Sequence, residues 1–124
     1  MTYRILHTVS DQARRNLEVA DARYRITNAR TGRTLATRVA LAATASSRAR
    51  GLLGRDSLDR GEGLWIEPCS AVHMFFMRFA IDAVFTDRER RVVRTVAGLR
   101  PWRIALGGWS ARAVLEVSIG TIEA

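Results

Sequence analysis

The stretch from Gly63 to Asp87 constrains the fold more than any other part of the chain. It holds the only cysteine (Cys69), one of two histidines (His73) and all four phenylalanines. In its second half Phe79, Ile81, Ala83 and Phe85 alternate with Ala80, Asp82, Val84 and Thr86. Successive side chains of a strand point to opposite faces, so this pattern is a β-strand with an acid among small and apolar neighbours. A segment this rich in packing residues belongs in a core, and its polar members then need partners or a purpose.

Further strands surround it. Tyr24–Ala29, a turn at Thr31-Gly32 and the alternating run Leu35, Thr37, Val39, Leu41 read as a hairpin. Thr44 or Ser46 can cap a short helix with Arg48–Leu53 as its body and Gly54 as its stop. Leu64–Glu67 is a strand ended by Pro68, Val72–Met77 is extended, and Asp87–Arg90 turns into a strand over Arg91–Ala97. Gly98–Ser110 reads as a long loop. Arg112–Ile119 reads as a strand with Ala113, Leu115, Val117 and Ile119 on its core face. Residues 1–22 are weakly patterned and expected to be an arm or short helix. The expected fold is therefore mostly β, a single-domain β-sandwich or partly open barrel over residues 23–124 with one short α-helix.

Composition excludes little and explains one oddity. The formal net charge is +8, and every one of the 20 basic residues is arginine. Residues 1–60 carry 12 arginines against 5 acids, whereas residues 61–124 carry 8 against 7. A basic half can attract nucleic acid, anionic lipid or an acidic protein. No basic run or aromatic RNA-reading motif accompanies it, so a solvated arginine surface set by codon usage is the simpler account. No apolar run is long enough for a membrane helix, and the first residues lack a secretory leader's apolar block. With a single cysteine, this places the chain in the cytoplasm as an expectation.

Four blocks, Arg50-Gly51-Leu52-Leu53-Gly54-Arg55, Gly61-Glu62-Gly63-Leu64, His73 through Asp82, and Val114-Leu115-Glu116-Val117, together resemble a bacterial and archaeal family, domain of unknown function 192. The resemblance covers roughly residues 32–122. It implies a compact, mostly β domain with one short helix and brings no established activity. Ala80 stands where family members often have Pro.

The candidate site follows from polar residues inside apolar strands. Asp82 and Glu116 need backbone N–H groups or arginines if both faces of their strands are covered. Two carboxylates in adjacent strands could share a role, or each could pair with an arginine such as Arg50 or Arg78 and tie the fold together. We therefore expect a small-ligand pocket edged by Arg50, His73, Asp82 and Glu116. A cationic ligand would suit the acids and an anionic one the arginines. The enzyme alternative is a hydrolase or transferase with Cys69 as nucleophile, His73 as base and Asp82 as orienter. Trp102 and Trp109, in a Gly-containing segment with Arg100 and Arg103, suggest a lid or partner surface. A basic module for a polyanion or protein is the third class. One Cys and two His do not make a zinc site without recruiting acids, and no cofactor fingerprint is present.

Overall fold

A computed structural model describes residues 24–42 and 51–123, together with the backbone of residues 5–9. Among the described residues nine strands form: β1 (Ile5–Val9), β2 (Tyr24–Asn28), β3 (Thr34–Ala42), β4 (Glu62–Ile66), β5 (Ala71–His73), β6 (Ile81–Thr86), β7 (Val92–Leu99), β8 (Ile104–Leu106) and β9 (Ala113–Ser118). Seven make one sheet in the order β1-β2-β3-β4-β9-β6-β7, and β5 and β8 make a separate two-stranded ribbon. Only the β3–β4 pairing is parallel; the others are antiparallel.

The sheet curls into a half-barrel. Register shifts in the β2–β3 and β6–β7 pairs mark bulges, which increase local twist and bend. The curl brings Ile26, Ala36 and Val39 of one wing into a single apolar cluster with Val84 and Val92 of the other, closed over Trp65, Leu115 and Val117. That is the concave core. On the convex face Ile81, Ala83, Phe85 and Val114 pack beneath Val72, Met74 and Ala105 of the ribbon region and beneath Leu52 and Leu58. The inner strands β6 and β9 are thus buried on both faces along their whole length.

Several expectations hold: the β2–β3 hairpin, β4, β7 and the division of β6 into two faces. Others need correction. Within the segment expected to be an arm or helix, Ile5–Val9 is a strand paired with β2; the rest of residues 1–22 lies outside the described residues. Residues 43–50 of the expected helix lie outside them too. Gly51 and Gly54 form a turn with φ of 49° and 84°, left-handed values that cannot continue an α-helix. Val72–Met77 is not extended throughout: after His73 the chain turns, Met77 N–H bonding Met74 O at 3.3 Å with Phe76 at φ 64°. The presumed loop from Gly98 to Ser110 contains β8. In β9 both faces face cores, and Ile119 lies exposed beyond its end.

Gly107 fixes how closely β8 approaches the sheet. A Cβ there would meet Phe85 Cδ1 at 2.5 Å and Ala111 Cβ at 2.6 Å, inside van der Waals contact. Gly107→Ala is therefore expected to destabilise the domain by roughly 1–3 kcal/mol through overpacking, measured by urea unfolding. A variant as stable as the parent would mean the ribbon is not seated against Phe85.

Candidate functional site

Strand register decides which polar residues meet. Glu116 lies opposite Leu64 on β4 and Ala83 on β6, so it shares their convex face. Its side chain is only 6% exposed. It lines a cavity of about 60 Å³ together with Gly51, Leu52, Cys69, His73 and Met77. Among the described residues no hydrogen bond or ion pair reaches this carboxyl, and burial pushes its pKa up from 4.5 to about 7. A carboxyl with that value exchanges its proton near neutral pH.

Asp82 lies opposite Val117, one step out of phase with Glu116, and therefore on the concave face. It is fully buried. Oδ1 accepts the Gly98 N–H at 2.9 Å and Oδ2 accepts the Ile122 N–H at 3.0 Å. Of the partners the sequence allowed, backbone groups take both oxygens. The acid pins a bulge of β7 and the chain after β9 to the middle of the sheet. Asp82 and Glu116 are thus neighbours in sequence space of the sheet but stand back to back, and a shared carboxylate site does not form.

Cys69 and His73 border the Glu116 cavity, not the Asp82 face. The Cys69 thiol donates to the Ala71 carbonyl at 3.0 Å. His73 is exposed, its ring stacked on Phe75 with centroids 5.4 Å apart. With Asp82 across the sheet, the Cys69-His73-Asp82 arrangement is not assembled. Arg50 lies outside the described residues, though its neighbour Gly51 lines the cavity. Arg78 pairs with Asp56 at 2.6 Å on the surface and not with either buried acid. Among the described residues no trio of His, Cys, Asp or Glu is placed to hold a metal ion.

The two tryptophans part company. Trp102 (φ 70°) donates its backbone N–H to Met74 O at 2.7 Å, and its ring lies 4.9 Å from Phe76 and 6.1 Å from Phe75. With His73 these rings make an exposed aromatic lip beside the cavity. Trp109 is fully exposed beyond the other end of β8. The packing-rich stretch from Gly63 to Asp87 also contains Met74 and Met77. Both are buried, but they also line the cavity, a double duty that no spacing in the chain announces.

The chain belongs to the family described as Uncharacterized ACR, domain of unknown function 192, whose model matches residues 25–124. It is similar to a UPF0127 protein of Thermococcus sibiricus, 37% identical over 54 residues that make 44% of this chain and 34% of the relative. A second, UPF0127 protein PYRAB11210 of Pyrococcus abyssi, is 43% identical over 51 residues, 41% of this chain and 43% of the relative. The matched stretch thus spans less than half the length of these curated relatives. A protein of unknown function from Novosphingobium aromaticivorans has the same fold, with TM-score 0.65 and 22% identity over 96% of this chain and 76% of its own. So does a Sinorhizobium meliloti protein described as a "putative transcription regulator", with TM-score 0.65 and 17% identity over 99% of this chain and 84% of its own. At these identities the likeness shows the fold alone.

The two acids give opposite predictions. Asp82→Ala strips two half-buried N–H groups of their acceptor and is expected to cost about 2–5 kcal/mol in urea unfolding, Asp82→Asn less. A loss below about 1 kcal/mol would refute the anchoring role. Between pH 4.5 and about 7 folded Glu116 keeps a proton that the unfolded chain has released. The folded state then binds more protons, so stability falls as pH rises through that window, by on the order of 3 kcal/mol, and levels off above it. Glu116→Gln should remove this slope and unfold at higher urea than the parent near pH 8. An unchanged slope would place the proton elsewhere.

Proposed function

We propose that this domain is a small-ligand binding module whose cavity receives a cationic group, an ammonium or guanidinium, on Glu116. The observation that carries the reading is a buried carboxyl, without a partner among the described residues, lining a cavity among apolar side chains. A charged carboxylate in that setting is destabilised until an opposite charge or strong donor arrives, so ligand binding recovers what burial costs. The cavity volume of about 60 Å³ suits a head group and not a whole metabolite. The body of the ligand would lie on the aromatic lip of Phe75, Phe76 and Trp102, where a cation near the ring faces gains further attraction. Trp102 is thus read as part of the site's rim, and Trp109 is not.

The enzyme reading is less well supported, because the thiol proton is directed at a backbone carbonyl and the third member of the triad is missing. The family has no established activity to weigh against this. With one cysteine no internal disulfide can form, which suits a reducing compartment, and we keep the cytoplasm as the working location. No helix among the described residues is long and apolar enough to cross a membrane.

Tryptamine, with methylammonium as a head-group control, tests the proposal by calorimetric titration near pH 6. At that pH Glu116 is largely protonated, so binding should release close to one proton per site, read from the dependence of heat on buffer ionisation. Tryptamine should bind more tightly than methylammonium, Trp102→Ala should narrow the gap, and Glu116→Gln should abolish the released proton. Binding that survives Glu116→Gln unchanged, or no binding of either amine, would sink the reading.

A further inference from the structure

A second cavity, far larger, lies across the sheet from Glu116. It has a volume of about 540 Å³, within the range of sites that enclose a small organic molecule. Val84, Val117 and Ile122 form part of its wall from β6, β9 and the segment after β9, and Leu35 and Val92 line it from the two wings of the half-barrel. Among the described residues no acid lines it, whereas Arg30 and Arg33 of the β2–β3 turn stand at its rim. An apolar interior with cationic groups at the mouth is the arrangement that accepts an apolar body and leaves an anionic head outside.

The rim is built, not incidental. Asn28 Oδ1 accepts the Arg30 N–H at 2.9 Å, and Asn28 N–H bonds Arg33 O at 2.8 Å, so the turn bearing both arginines has a fixed shape. Arg33 Nη2 donates to Thr121 O at 2.8 Å, fastening the turn to the opposite wall while the guanidinium keeps further N–H donors. That wall is itself held: Thr121 Oγ1 donates to Ser118 O at 2.7 Å, and Ile122 N–H donates to Asp82 at 3.0 Å. The buried acid that failed to join the Glu116 site thereby positions a wall of this one. A preformed cavity loses less in ordering when a ligand enters.

We infer that this concave cavity is a second binding site, for a small amphipathic anion such as a medium-chain carboxylate, its apolar part inside and its acid group on Arg30 and Arg33. The site is independent of the cation cavity, being separated from it by the sheet.

Three probes with one chain length separate charge from apolarity: decanoate, decan-1-ol and decyltrimethylammonium. Decanoate is expected to move the backbone amide resonances of Leu35, Val93 and Ile122 and to bind roughly tenfold more tightly than either other probe. Arg30→Gln, which leaves the Arg33–Thr121 contact in place, should weaken decanoate alone by about threefold or more, and the Arg30→Gln/Arg33→Gln pair by about tenfold. Glu116→Gln should leave decanoate affinity unchanged, so this result stands apart from any outcome with amines. Equal binding of the three probes, shifts confined to other parts of the sheet, or full affinity in Arg30→Gln would overturn the inference.

Discussion

Two hydrogen bonds to one carboxylate hold much of this fold in place. Asp82 sits at the middle of a sheet whose inner strands are buried on both faces, where an unsatisfied charge would be intolerable. Its oxygens take N–H groups from Gly98 and from Ile122, residues that no regular ladder would bring together. One bond fixes the bulge at which β7 bends; the other draws the chain after β9 back over the concave face. Hydrogen bonds to a charged acceptor are roughly twice as strong as neutral ones, which is what two such irregular segments require. The bulge of β7 and the wall that Ile122 contributes to the concave cavity are both tied to this acid.

Glu116 shows what happens one residue out of phase. It lies on the neighbouring strand, yet among the described residues the convex side surrounds it with thioethers, a thiol, aliphatic groups and the exposed His73, none of them hydrogen-bonded to it, where the concave side offers Asp82 two N–H groups. The same side-chain chemistry therefore acts as an anchor on one face and as an unmet demand on the other. Burial without a partner raises the pKa; burial with well-placed donors satisfies the charge. That contrast underlies the roles proposed for them: one acid maintains the structure, and the other would be available to a ligand.

How much of this was legible in the chain depended on whether the signal was local. The alternation in Phe79–Thr86 correctly separated the two faces of β6, since period 2 is a property of the strand itself. The same reading of β9 named only one core face, because burial of its other face comes from the β5–β8 ribbon, which no pattern within β9 encodes. Whether Asp82 and Glu116 face each other is a matter of register between strands, and a one-residue offset inverts the answer. Phe75-Phe76 defeated the turn rules from the other direction: lacking Gly, Asn or Pro, the pair reads as strand, yet Phe76 takes a left-handed conformation there. β8 is three residues long, too short for alternation to register. Cys69 and His73 border one cavity, but the acid beside them comes from a distant strand that no local pattern could supply.

The opposite preferences proposed for the two cavities follow from the same alternation. In a strand buried on both faces, Glu116 and Val117 are adjacent residues that serve different cavities, one an acid facing the ribbon and the other an apolar wall facing the half-barrel. The arginines that balance the wall's apolar surface belong to a hairpin turn at the rim, where solvent keeps them charged without a desolvation cost. The acid, by contrast, is in the middle of the sheet, where its charge is expensive. On the proposed reading a cation would gain most by entering deeply and an anion by remaining at the mouth. The depth at which each charge sits, more than the count of charges on the molecule, sets the kind of ligand each face can hold.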